Sequence, residues 1–351
     1  MQELREQIAA YCKENQIFGM LRVAIKDTIV YEQVMGYANA VEKTPFTKDS
    51  MFTLYSMTKP LCAIGLLKLK DKGLVDIDRH PSAYVPEAQG FDERVTIRHL
   101  LHHISGLPDF AQTAGFAEKY APGYPKYIRE HLKALTAYPS FFAPATNAKY
   151  ANVNFVLCAL IIENVTGMSY PQYMEREVFA PLGMHHAVVD NEELVIPHRV
   201  SGHELVGGKL TPIRPCYDWL YGAGDIAATV EDVHCLNKAI KRCLLLSEST
   251  WEEALTPSPL NNMGMGCTVT AWHGKRRITH NGGHKGFRTL HIQLPQDDFD
   301  VIFLSNSGFG NARDDIAEMI HAAFYGETEG ASQRVEMDIL ASSHQVLLQL
   351  A

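Results

Sequence analysis

Two short, largely apolar runs, 19–24 and 28–35, flank the turn residues Lys26-Asp27 and read as a pair of strands. From 56 to 72 the pattern changes, and nearly every side of a 3.6-residue helix is apolar until Gly73 ends it. A helix apolar all round belongs inside a larger body. Helix-like segments fill the middle of the chain, among them 97–103, 123–135, 152–165 and 230–241. Strand-like segments return at 264–272, 276–281, 288–294 and 299–305, before a closing helix over 314–325. The charged first fifteen residues read as a surface helix.

Strands at both ends with helices between predict an α+β fold. An antiparallel sheet flanked by helices is built from both termini, residues 1–80 plus 262–326, and a mainly helical domain, 81–261, is inserted into it. Residues 327–351 begin polar and finish in the apolar stretch 346–350, which fits either a tail or a docking helix. The chain holds no internal repeat and no Pro/Gly/Ser linker.

At 351 residues the chain exceeds one typical core, and 46% hydrophobic with 21% charged residues is ordinary for a globular protein. A net charge of −8, with no Lys/Arg block, excludes non-specific nucleic-acid binding. The seven cysteines are odd in number, scattered and without a CxxC pair, which points to free thiols and a reducing compartment. The longest apolar runs, 61–67 and 155–162, are too short to span a bilayer. A cytoplasmic enzyme is the expectation, although the mature form of an exported protein has the same pattern.

Chemistry enters at Ser56-Met57-Thr58-Lys59, the chain's one Ser-x-x-Lys, which opens the buried helix. Residues i and i+3 share a helix face, so the lysine reaches the serine hydroxyl. The helix N-terminus favours a developing anion, and burial lowers the lysine pKa until a neutral amine can act as base. The bland counterpart is an N-cap serine followed by a solvated lysine. Two Tyr-x-Asn triplets follow. Tyr37-Ala38-Asn39 comes straight after a strand and reads as turn chemistry, whereas Tyr150-Ala151-Asn152 sits in a loop before a helix, where its side chains can enter a cleft. His280-Asn281-Gly282-Gly283 ends a strand, and its glycines let a substrate approach bare backbone; a hairpin alone would explain the same residues. Amides of Ser56 and Gly283 are candidates for an oxyanion hole.

The order Ser-x-x-Lys, Tyr-x-Asn, His-x-Gly resembles the superfamily of class C β-lactamases, D-alanyl-D-alanine carboxypeptidases, D-aminopeptidases and related esterases. Similar supporting stretches run from Leu100 to Pro108, over Pro181-Leu182-Gly183-Met184, and from Gly222-Ala223-Gly224-Asp225 to Asp232. The resemblance covers about 15–326 and implies a β-lactamase/transpeptidase-like fold. It implies Ser56 as acylated nucleophile, Lys59 as its proton partner and Tyr150 as general base and leaving-group acid. It makes Asn152, His280, Asn281 and Gly282 substrate-binding and gives the oxyanion to the Ser56 and Gly283 amides. Many β-lactamases carry lysine where this chain has His280, which favours an esterase or D-peptidase over a dedicated β-lactamase. A β-lactamase proper and a non-catalytic binder are the rival readings.

No metal or organic cofactor is expected, and the partner is a small-molecule or short-peptide substrate. Gly222-Ala223-Gly224-Asp225-Ile226-Ala227 matches GxGxxA but follows no strand, so it is no dinucleotide site, and no GxSxG occurs. The adjacent pairs His102-His103 and His185-His186 point apart and do not chelate one metal; His103 reads as a structural hydrogen-bonding residue. Tyr221, in the cluster with Tyr217 and Trp219, is a candidate cleft wall, and one of Arg276 and Arg277 is a weaker candidate for meeting a substrate carboxylate. The sequence leaves the substrate and the oligomeric state open.

Overall fold

The computed structural model describes residues 1–120, 126–191, 193–217, 219–308 and 312–326. The first two strand-like segments become β1 (Gly19–Ile25) and β2 (Thr28–Met35), joined by Lys26 and Asp27, both at positive φ as a two-residue hairpin requires. The closing strands are β3 (Thr268–Trp272), β4 (Lys275–His284), β5 (Phe287–Leu294) and β6 (Phe299–Ser305). Together they form a six-stranded antiparallel sheet in the order β2-β1-β6-β5-β4-β3, so β6 returns to lie beside the first strand of the chain. All seven residues of β6 are buried, because both faces of the sheet are covered.

One face packs on α1 (Gln2–Glu14) and the last helix, Ala312–Tyr325: Leu21, Leu290, Ile292, Val301 and Phe303 meet Leu4, Ile8, Ile316 and Ile320. The other face joins a larger core around α2 (Thr58–Asp71), α3 (Val153–Thr166) and α4 (Val230–Lys241). The last helix is α5. Among the described residues no single helix is long and apolar enough to cross a membrane. The apolar pair α3 and Tyr170–Leu182 is bent by 82°, and α3 is buried from Val153 through Ile162 inside the protein.

Three expectations shift. The helix expected from 56 begins instead with a 3₁₀ turn, Tyr55–Met57, and the α-helix proper starts at Thr58; such tightening is common where the first N–H groups have no helical partner. β3 starts at Thr268 and not at 264, because Gly266 takes φ +86° in a turn. Of the expected 123–135 helix, Ile128–Leu135 is present, and 121–125 lie outside the described residues. The tail 327–351 also lies outside them. Among the described residues no disulfide joins any of the cysteines.

Candidate active site

Every residue from Ser50 to Leu67 is buried except Ser56. The serine is held at this one opening by Tyr55, which adopts φ +47°, a left-handed conformation that a bulky residue keeps only where its surroundings dictate it. Here the Tyr55 ring is wedged edge-on against His284 and Phe287, at centroid distances of 5.4 and 6.0 Å. One residue earlier, the Leu54 carbonyl accepts a hydrogen bond from Thr289 Oγ1 at 2.8 Å. Gly282 on β4 packs directly on that same carbonyl, and a side chain there would be driven into it. Gly282→Ala is therefore expected to cost about 1–3 kcal/mol of stability and to slow labelling of Ser56 by a fluorophosphonate. Thermal melts and labelling rates check the two effects separately.

Lys59 is fully enclosed. Its Nζ lies 3.1 Å from Ser56 Oγ, 2.9 Å from Asn152 Oδ1 and 2.7 Å from the Ala223 carbonyl oxygen. The last two atoms only accept, so a neutral amine gives them its two hydrogens and turns its lone pair to the serine hydroxyl. Burial lowers the Lys59 pKa to about 7, against the opposing pull of Asp109, Cys62 and Asp225. Both protonation states are thus accessible near neutrality.

The two acceptors owe their positions to distant residues. Asn152 stands at the N-terminus of α3 but caps nothing. The cap comes from Asp109, whose carboxylate accepts from the Val153 N–H at 3.0 Å and from the Ala111 N–H at 3.2 Å. That arrangement frees the Asn152 amide for Lys59. Ala223 belongs to a turn in which Gly222 has φ +69° and presses on Ala159 and the Phe155 carbonyl of α3, and Asp225 Oδ2 holds the Gly222 N–H at 3.0 Å.

The Tyr150 ring lies 4.7 Å from Lys59 Nζ. Part of the residue reaches the surface, but its hydroxyl is enclosed next to Ser56 and has no well-aligned hydrogen bond. Burial pushes the phenol well above its usual range, so it is protonated at neutral pH. His280 faces it across 6.3 Å between ring centroids. Its Nδ1 is 2.6 Å from the Asn281 carbonyl, which can only accept, so the ring hydrogen sits on Nδ1. Nε2 is then a buried lone pair without a partner among the described residues. Burial, with Lys59 nearby, lowers the His280 pKa to about 3, and the ring is neutral.

Ser56, Lys59, Tyr150, Asn152, His280 and Gly282 therefore converge. Asn281 does not share their face, because alternation along β4 turns it away from His280. Gly283 is on the same open strand edge, with Arg288 beside it. Tyr221 is in the core and not on a cleft wall: 6% exposed, it packs edge-on against Tyr170 and donates its hydroxyl hydrogen to Glu163 at 2.6 Å. A buried phenol needs such a partner, and the carboxylate lies on the side away from the site. Arg276 donates to the Leu255 carbonyl and Arg277 to Thr270, so both are engaged elsewhere.

The structure adds groups that the sequence did not single out: the Asp109 cap, the Ala223 carbonyl and Arg313, which reaches the Gly282 carbonyl at 3.5 Å. Each depends on a long-range contact, and none has a local signature. Among the described residues one carboxylate cluster resembles a metal site, Asp27, Asp298 and Asp300, but the Lys241 ammonium already bridges it at 3.1, 2.5 and 2.6 Å.

A family model described as Beta-lactamase matches residues 4–324. Penicillin-binding protein 4* of Bacillus subtilis (strain 168) is 29% identical over 317 residues, which span 84% of this chain and 69% of that protein. D-aminopeptidase of Gluconobacter oxydans (strain 621H) is 25% identical over 296 residues, 82% of this chain and 55% of its own length. The octameric penicillin-binding protein homologue from Pyrococcus abyssi superposes with a TM-score of 0.81 at 22% identity, over 93% of this chain and 78% of that one. The last likeness shows a shared β-lactamase/transpeptidase-like fold of the α+β class.

Proposed function

Since the chain belongs to the Beta-lactamase family and is a serine hydrolase, we propose that it hydrolyses a small ester, amide or D-amino-acid peptide through an acyl-enzyme on Ser56. The observation that carries this reading is the three-way placement of Lys59 Nζ. Two fixed acceptors take its hydrogens and leave the lone pair on the nucleophile, an arrangement without purpose in a protein that only binds.

In the proposed cycle Lys59 takes the Ser56 proton as Oγ attacks the substrate carbonyl. The negative oxygen that forms sits against the N–H groups of Ser56 and Gly283. Collapse of the tetrahedral intermediate breaks the bond to the leaving alcohol or amine, which receives a proton through Tyr150. Water then attacks the acyl group and gives a proton to Lys59, which passes it to Ser56 Oγ as the acyl bond breaks and the acid leaves. Asn152 holds the lysine and, in this reading, also meets the amide on the acyl side of the substrate.

His280 supports the choice of substrate class. A neutral ring whose Nε2 has no partner among the described residues can accept a hydrogen bond and offers no positive charge to an anion. Such a group suits a substrate N–H better than the carboxylate of a β-lactam. The similarity to a D-aminopeptidase agrees with that preference.

The test is turnover of p-nitrophenyl butyrate, D-alanine p-nitroanilide and nitrocefin by the same preparation. We expect the ester and the D-amino anilide to be cleaved faster than nitrocefin. Faster nitrocefin cleavage would assign the site to β-lactams. Silence on all three, with no labelling of Ser56 by a fluorophosphonate, would sink the hydrolase mechanism.

A further inference from the structure

We propose that His103 is a positioning residue for Tyr150, an inference that rests on the Ser56–Lys59–Tyr150 reading and extends it. Tyr150 has a placement problem, because its enclosed hydroxyl has no well-aligned bond to fix it. The ring and backbone must therefore be held from elsewhere: Gln112 donates to the Tyr150 carbonyl at 3.0 Å, Lys59 meets the ring, and His103 holds both the ring and the flanking backbone. Its imidazole stacks on the Tyr150 ring, with centroids 4.2 Å apart and planes inclined by 26°. Its main-chain carbonyl accepts from the Lys149 N–H at 3.1 Å, and its Nδ1 accepts from the Ala151 N–H at 3.2 Å. The residues on either side of Tyr150 thus hang on one histidine.

The orientation of that ring is determined. A backbone N–H only donates, so Nδ1 carries the lone pair and the ring hydrogen is on Nε2. Asn154 Nδ2 donates to the same Nδ1 at 3.1 Å, and Asn154 Oδ1 takes the Ser105 hydroxyl hydrogen at 2.7 Å. The two donors at Nδ1 and the Ser105–Asn154 bond agree with this tautomer, which leaves the Nε2 hydrogen buried and without a partner among the described residues. His103 is 1% exposed, and burial, with Lys59 and His280 nearby, keeps it neutral. No hydrogen bond joins it to Ser56 or Lys59 among the described residues, so it acts through Tyr150. It also sits at φ +56°, a conformation few residues with a side chain keep.

Few side chains meet both demands. Phenylalanine offers the flat face but no in-plane lone pair for Ala151. Glutamine offers the acceptor but no ring to lie on the phenol. Loss of either half lets Tyr150 move relative to Ser56, which slows proton transfer without changing how substrate binds.

The test measures kcat and KM for D-alanine p-nitroanilide, whose amine leaving group needs a proton, in His103→Phe and His103→Gln, each alone and combined with Tyr150→Phe, with circular dichroism as the folding control. We expect each single variant to lower kcat by roughly 10–100-fold, a misplacement-sized effect, with little change in KM. In the Tyr150→Phe background the same changes should cost less than about twofold, because residues acting as a unit are non-additive. Wild-type kcat in a folded His103 variant, or a full further loss on top of Tyr150→Phe, would overturn the inference. If one variant fails to fold, the other decides. Ser56→Ala separates the two levels: turnover surviving there overturns the mechanism and this inference together, whereas turnover lost there but kept in His103→Phe overturns this inference alone.

Discussion

Ser56→Ala is expected to lower turnover of p-nitrophenyl butyrate by about 10⁴-fold or more, the scale seen when a covalent nucleophile is removed. The reasoning starts from exposure. Ser56 is the one residue between Ser50 and Leu67 that is not buried, at the mouth of a helix whose every other early residue is packed. Among the described residues its hydroxyl has one well-aligned hydrogen bond, to Lys59 at 3.1 Å. Removing it opens no cavity and leaves Asn152 and Ala223 to hold the lysine. The melting temperature of the variant should stay level or rise, since sites arranged for chemistry are rarely arranged for stability. Labelling by a fluorophosphonate should vanish in parallel. A variant that melts like the wild type and still turns over the ester would mean that the carbonyl is attacked by something else.

Why these residues were readable in the sequence, and others not, follows from the range of the contacts that place them. The Ser56–Lys59 spacing is local: a three-residue interval on a segment whose all-round apolarity predicts a buried helix. The strands are local too, since alternation over 28–35 marks β2 and the short apolar run over 299–305 marks β6. Tyr150 and Asn152 stood out as a short motif before a helix. The reason Asn152 points at Lys59 and does not cap that helix was hidden, because the cap comes from Asp109, distant in the chain. The Ala223 carbonyl was beyond any residue-type argument, as a main-chain oxygen carries no signature. His103 looked like a hydrogen-bonding residue and nothing more, since its stacking partner lies across the loop. Tyr221 and Asn281 sit apart from the cluster for different reasons. The first found a buried carboxylate in the core, and the second follows a strand alternation that sends it away from His280.

The pH dependence assigns the base. With Lys59 lowered to about 7, the neutral amine is the minor form below that pH and the major form above it. If the neutral amine is the base, kcat/KM should rise through pH 7 and level off on the alkaline side. The other groups around Ser56 do not compete for that limb: His280 is lowered to about 3, His103 is held well below its ordinary value, and Tyr150 is pushed far above. Lys59→Met should cost roughly 10²–10⁴-fold in kcat/KM, the usual range for a general base, and should abolish the limb. Asp109 gives a signed control. Its carboxylate raises the Lys59 pKa, so Asp109→Asn should lower that pKa and move the limb toward acid. Because Asp109 also caps α3, the variant is judged on the midpoint of the limb and not on its height. A limb that keeps its midpoint in Asp109→Asn and survives in Lys59→Met would belong to another group, and the lysine would then only anchor the serine. A limb that shifts in the first and disappears in the second leaves Lys59 as the group that takes the proton.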